Sequence, residues 1–193
     1  MNLDFEDIQE TITSIFQLFN EKGSQDYIGE NITIYQHMVR CAYIAFSKGY
    51  NDEIIIASLL HDIGHLLDSD ESKSMNGFGN ENHELIGAQY LKSKGFSKLV
   101  VDIVAYHVAA KRYLCTVDKY YYDVLSDASK ETLKLQGGKM SLIEVQIFEN
   151  LLNYKAILLV RRIDDLAKDH SSQSHPIEFY GKILELHLFN YHR

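Results

Sequence analysis

Leu59-Leu60-His61-Asp62-Ile63-Gly64-His65 is the stretch on which the reading of this chain turns. Ahead of it, Ile54, Ile55, Ile56, Ala57, Leu59 and Leu60 make an apolar run, the pattern of a largely buried helix. On such a helix the side chains of adjacent His61 and Asp62 diverge by about 100°. Both reach one ion only if that ion sits close against the helix. His65 follows His61 by one turn and returns to the same face. A carboxylate and two imidazoles are costly to bury unless they are paired or bind metal. A bare His-Asp dipeptide is ordinarily a hydrogen-bonded core pair, but the longer pattern is far more specific.

The rest of the composition narrows the class. A chain of 193 residues fits one domain with an ample core, and a single proline favours helices. The net charge is −8 and no Lys/Arg block appears, which argues against nucleic acid as a partner. Cys41 and Cys115 give no disulfide framework, so a reducing cytoplasm is expected. Residues 1–20 are acidic and amphipathic, unlike a signal peptide. No apolar run approaches the roughly 18 residues needed to cross a bilayer.

Periodicity then places helices along the chain. Phe5, Ile8, Ile12, Ile15, Phe16 and Phe19 recur at helical spacing, predicting a helix over about 4–20. Thr33 with Gln36 reads as a capping box for the next helix, which Gly49 closes. Asn51 or Asp52 caps the helix of the His-Asp pair. A polar loop over 68–80 leads to a helix carrying His83 and ending near Gly95. Ser97 opens a helix with His107 near its end, and residues 108–114 are expected to leave it. Two short helices follow over about 120–125 and 127–135, stopped by Gly137-Gly138. Ser141 with Glu144 caps a long apolar-rich stretch, broken near Asn153, that runs through Ile163. Ser174 and Pro176 suit the N-cap and first turn of a last helix over about 176–191. No stretch alternates with period two, so the expectation is one all-α domain over 1–193.

The run from Leu59 to His65 resembles the HD-domain superfamily of metal-dependent phosphohydrolases and their oxygenase relatives. In that superfamily a histidine on an earlier helix precedes the His-Asp pair, and an aspartate follows on a late helix. The resemblance assigns those places to His37 and Asp164. Singly, His83 or His107 reads more readily as a surface or core histidine. In order with the others they complete a set, His37, His61, Asp62, His83, His107 and Asp164, that resembles the dinuclear branch. Four imidazoles and two carboxylates suit iron, manganese, cobalt or zinc rather than calcium. Six ligands shared by two ions leave open positions for water, oxygen or substrate. Asp165 competes with Asp164, and helical phase alone does not separate them; the family's Arg-x-x-Asp spacing favours Asp164. His170, His175, His187 and His192 fall outside the pattern and read as structural or exposed.

Flanking residues point to one branch. Residues 26–30 (DYIGE), Gly64-His65, residues 107–114 (HVAAKRYL), residues 125–129 (LSDAS) and Gln136-Gly137-Gly138 are not general features of HD domains. Together they resemble the iron-dependent hydroxyphosphonate oxygenases, over a metal-binding core of about 27–165. The resemblance implies a mixed-valent Fe2+/Fe3+ pair bridged by Asp62, with dioxygen as co-substrate. The implied substrate is a small 1-hydroxyphosphonate of the 2-amino-1-hydroxyethylphosphonate kind, cleaved to a carboxylic acid and phosphate. Lys111 and Arg161 would supply positive charge for the phosphonate, Arg161 being able to hold two oxygens at once. Ser129 and Gln136 would add neutral hydrogen bonds, and His65 is implied at the substrate. Tyr27 and Glu30 match a loop that closes the oxygen-binding iron until substrate arrives, with Glu30 placed to face an ammonium. A loop tyrosine ordinarily only packs and a loop glutamate is ordinarily only solvated; the whole DYIGE match lifts them above that. The rival reading is a metal-dependent phosphohydrolase acting on a nucleotide or other phosphate ester. A third, a non-catalytic HD fold used for binding, leaves the complete ligand set unexplained.

Overall fold

The computed structural model describes residues 4–27, 29–67, 82–168 and 173–192. The described helices are α1 (Phe5–Lys22), α2 (Ile34–Ser47), α3 (Asp52–Leu60), α4 (His83–Ser93) and α5 (Lys98–Val117). They continue with α6 (Tyr121–Val124), α7 (Asp127–Leu135), α8 (Leu142–Glu149), α9 (Tyr154–Leu166) and α10 (Gly181–Tyr191). Tight 3-10 turns occupy Ile63–His65 and Ile177–Tyr180. Among the described residues the only extended pairing is an isolated bridge between Asp26 and Thr33, so the fold is all helical.

The packing follows from α3. Every residue from Ile54 to Leu60 is buried, so this helix has no solvent face. It therefore needs neighbours on every side, and α2, α5, α9 and α10 pack against it. Fully burying one Ile or Leu contributes roughly 1.5–3 kcal/mol, which makes this run the anchor of the core. α4 lies against both α5 and the Ile63–His65 turn, and α1 against α10. The expected starts hold where a cap carries them. Thr33 with Gln36 and Ser141 with Glu144 form complete capping boxes, and Asn51 and Ser97 cap α3 and α5 with their side chains.

Three expectations need correction. α3 stops at Leu60, so His61 is its C-cap and Asp62 lies beyond it at φ −102°, ψ 12°. The pair is aimed by a helix end and a tight turn instead of by helical phase. α5 does not release the chain after His107 but runs to Val117. Residues 108–114 contain no Gly or Pro and include Ala, Leu, Lys and Arg, all good helix formers. Lys111 therefore stands one turn beyond His107 on the same face. Pro176 is the N-cap of the 3-10 turn, and α10 begins only at Gly181. The polar loop over 68–80 and His170 lie outside the described residues.

Candidate active site

Five segments converge on one buried cluster. His37 comes from α2, His61 and Asp62 from the end of α3, His83 from the first residue of α4, His107 from α5 and Asp164 from α9. All six side chains are buried. The Asp62 carboxylate stands between two groups. Its Oδ2 lies 3.2 Å from His61 Nε2 and 3.7 Å from His37 Nε2. Its Oδ1 lies 3.3 Å from His107 Nε2 and 3.5 Å from His83 Nε2. Asp164 joins the first group, with Oδ1 3.2 Å from His37 Nε2. Within the groups, the Nε2 atoms of His37 and His61 are 3.2 Å apart and those of His83 and His107 are 3.0 Å apart. Asp165 turns away to Arg161 and the Tyr121 hydroxyl. That geometry separates the two neighbouring aspartates, which sequence left as competitors.

The donor chemistry fits metal. His61 Nδ1 donates to the Ser58 carbonyl (2.9 Å) and His107 Nδ1 to the Val104 carbonyl (2.8 Å). Those bonds put the proton on Nδ1 and leave the Nε2 lone pairs facing carboxylate oxygens, which are themselves acceptors. Acceptors facing acceptors at this range are reconciled by a cation between them. Electrostatics mark the cluster as a seat for positive charge, whether metal ion or proton. Burial opposes charge on Asp62, yet His61 and His107 hold its carboxyl well below the usual range. Burial likewise opposes charge on Asp164, which Arg161 and Lys168 nevertheless keep ionised. Burial works against charging His61 too, but Asp62 and Asp164 outweigh it and lift the imidazole to about 9. At His37 burial wins and the shift is downward.

A small cavity of about 40 Å³ opens beside this cluster. Tyr27, Glu30, His65, Lys111, Ser129, Gln136 and Arg161, all singled out from sequence, line it together. Tyr27 is buried, stacks on His37 with ring centroids 4.1 Å apart, and donates from its hydroxyl to Asp62 Oδ2 at 2.8 Å. Burial and the two aspartates push that phenol well above its ordinary value, so it stays a donor. Glu30 accepts from the Ser126 hydroxyl. His65 stacks on His83 at 3.9 Å, and burial lowers it to about 4, which keeps it neutral. Lys111 Nζ donates to Thr132 Oγ1 at 2.9 Å. Burial, then Arg161 and Lys168, pull that ammonium down to about 7. Arg161 differs from the expectation of a two-pronged grip on an anion. It donates to Asp164, Asp165 and the Tyr121 hydroxyl, and so holds Asp164 in place. The Gln136 amide oxygen has no hydrogen-bond partner among the described residues.

Sequence reading missed three residues. Thr132 sits one turn after Ser129 on α7, and Lys168 one turn after Asp164, with Nζ 2.8 Å from Ser129 Oγ. Cys41 sits one turn after His37, with Sγ 3.7 Å from His37 Nε2. Burial pushes its thiol up, so it is protonated at neutral pH. The spacing of three or four residues from a candidate would have found all three.

The chain is similar to several known proteins. The family model described as HD domain matches residues 34–150. A [1-hydroxy-2-(trimethylamino)ethyl]phosphonate dioxygenase (glycine-betaine-forming) of Leisingera caerulea is 43% identical over 78% of this chain and 76% of its own. A hydroxymethylphosphonate dioxygenase of Gimesia maris is 41% identical over 82% of this chain and 79% of its own. An uncharacterized protein of Acanthamoeba polyphaga mimivirus is 39% identical over 95% of this chain and 84% of its own.

Proposed function

The chain belongs to the HD-domain family, in the branch of the two phosphonate dioxygenases, and from that premise we propose that it is a non-haem di-iron dioxygenase. The observation that carries the reading is Asp62, whose two oxygens are turned to two separate pairs of imidazoles. His37, His61 and Asp164 would hold one ion, His83 and His107 the other, with Asp62 shared. The reaction is cleavage of a small 1-hydroxyphosphonate of the 2-amino-1-hydroxyethylphosphonate kind. The C–P bond and the C–H bond of the hydroxylated carbon break, and both atoms of dioxygen enter the products. R–CH(OH)–PO₃H₂ and O₂ thus become R–COOH and H₃PO₄, with no further reductant. The iron pair, when bound, supplies the redox chemistry and activates dioxygen.

The chain's own residues bind, orient and exclude. Lys111 in its charged form meets a phosphonate oxygen, with Ser129, Thr132 and Gln136 adding neutral hydrogen bonds around it. His65, neutral, is able to accept from the substrate hydroxyl or donate to a phosphonate oxygen. Arg161 acts through Asp164, which it anchors. Tyr27, bonded to Asp62 on the side of His37 and His61, closes that side of the site, and Glu30 in the same loop meets the cationic end of the substrate. Iron-loaded protein given 2-amino-1-hydroxyethylphosphonate should take up oxygen and release phosphate in equal amounts. Phosphate release from nucleotides without oxygen, and none from the hydroxyphosphonate, would instead make this a phosphohydrolase.

A further inference from the structure

Helix α8 is apolar on all sides and yet lies at the surface. Five of its eight residues, Leu142, Ile143, Val145, Ile147 and Phe148, are apolar. At about 100° per residue they are spread around the whole circumference, the pattern of a helix with no solvent face. Only Phe148 is buried. It stacks on Tyr113 of α5 with ring centroids 4.8 Å apart. Arg112 pairs with Glu144 at 2.7 Å, and the Tyr113 hydroxyl donates to Glu149 at 2.8 Å. α5 therefore holds one side of α8, and the opposite side stays open.

The open side is large. Leu142 is 80% exposed, Ile143 70%, Ile147 62% and Leu152, in the turn after the helix, 88%. Ile143 and Ile147 lie one turn apart on the same face, with Leu142 beside them. These four side chains present roughly 500 Å² of apolar surface, at the upper end of what a monomer leaves uncovered. One face of a stable interface needs about 800 Å². The exposed residues Lys139, Gln146, Glu149 and Asn150 around the patch supply the remainder as a polar rim.

The charges at the two ends of α8 indicate what covers it. Lys139, just before the helix, holds its ammonium 5.3 Å from the centroid of the Tyr122 ring and forms no ion pair among the described residues. Glu149, in the last turn, likewise forms none there, and it stands where the helix dipole disfavours a carboxylate. A second α8 laid antiparallel across a two-fold axis sets each Lys139 against the partner's Glu149. The surface is then complementary to itself in charge as well as apolar. A lipid surface fits worse, because α8 carries two glutamates and no Lys or Arg, and the chain has a net charge of −8.

We propose that α8 and the turn after it form the interface of a homodimer, with the two helices packed antiparallel about a two-fold axis. Ile143 and Ile147 pack on their counterparts, and the Lys139–Glu149 pair forms twice. Among the described residues none that lines the inner cavity lies on α8, so each copy keeps a whole site. The pairing thus holds whatever reaction that site performs.

Sedimentation velocity on the full chain, from micromolar to hundreds of micromolar, should give twice the 22.2 kDa of one chain. Ile147→Glu buries a new carboxylate twice at such an interface and should raise the dissociation constant about a hundredfold or more. Ile147 is exposed within one chain, so the variant should keep its helicity by circular dichroism. Exchanging charges tests the register without touching the apolar face. Lys139→Glu should weaken the dimer about tenfold, and adding Glu149→Lys should restore it. A single-chain mass at every concentration overturns the proposal; if that single chain instead floats with phosphatidylcholine–phosphatidylglycerol vesicles, the face belongs to a lipid surface. A dimer that survives Ile147→Glu places the interface elsewhere. A Lys139→Glu loss that Glu149→Lys does not restore rules out the antiparallel pairing.

Discussion

At Tyr27 one hydroxyl joins a loop to the carboxylate that faces both imidazole pairs. Phenylalanine keeps the ring stacked on His37 and removes only that hydrogen bond, which to a charged acceptor contributes about 1.5–3 kcal/mol. Tyr27→Phe should therefore still turn over substrate, while the reduced protein takes up oxygen faster when substrate is absent. Equal substrate-free uptake in the variant and the parent would leave the loop without a gating role. Lys111 sets a second expectation, through its pKa near 7. The phosphonate needs the ammonium, so kcat/KM should fall as pH rises through about 7. Lys111→Met should raise KM by tens of fold, on the order of a 2–3 kcal/mol loss, keep its metal and lose that pH limb. Stability has the opposite sign. The lysine pKa is lower folded than unfolded, so between about pH 7 and 10 the unfolded chain binds more protons and stability rises with pH. Urea titrations across that window should show a flatter rise in Lys111→Met. A parallel rise in both proteins would mean that Lys111 keeps its proton.

The turn Ile63–His65 shows what an element contributes beyond its residues. A Cβ on Gly64 would lie 1.9 Å from the His83 carbonyl oxygen and 2.7 Å from its carbon, so only glycine lets the turn approach the start of α4 this closely. Gly64→Ala must push His83 back. It should cost about 1–3 kcal/mol of stability and lower the metal content from two ions toward one, because His83 leaves its partner His107. Full metal content at unchanged stability would show that α4 yields without consequence. Sequence could flag Gly64 within the motif but not its reason, since the close approach is made by a segment about twenty residues on. Local signals fared better. The capping boxes at Thr33 and Ser141 name their partners within one turn, and both starts were legible. The end of α5 was not, because nothing in residues 108–114 breaks a helix and only the capping geometry at Asp118 marks the stop. The Arg161 pairing was also illegible: a guanidinium suits an anionic substrate and a neighbouring carboxylate equally well, and only the positions of Asp165 and Tyr121 decide.

On the scale of the molecule, the six proposed ligands close the chain into loops. They tie α2, the end of α3, α4, α5 and α9, elements separated by up to 127 residues, counting from His37 to Asp164 (164 − 37). Their order along the chain was legible, yet their convergence was not, because it depends on α3 being wrapped by α2, α5 and α9 at once. That arrangement makes metal binding and folding one equilibrium. Ions that bind the folded cluster and not the unfolded chain stabilise it by RT ln(1 + [L]/Kd), about 4 kcal/mol at a thousandfold excess over Kd. For a chain of this size each kcal/mol moves the midpoint by about 2–4 °C, so removing the metal should lower Tm by on the order of 10 °C. The measurement is calorimetry on protein stripped with chelator and on the same protein reloaded with ferrous iron under anaerobic conditions. Asp62→Ala should lie at the stripped value with or without added iron, since the one carboxylate shared by both pairs has no local substitute. Lys111→Met, which removes a hydrogen bond to Thr132 and no proposed ligand, should recover the full shift. Coincident melting curves for stripped and reloaded parent protein would mean that the cluster holds protons instead of metal, in keeping with an imidazole lifted to about 9 at His61. The proposed chemistry would then have no seat in this fold.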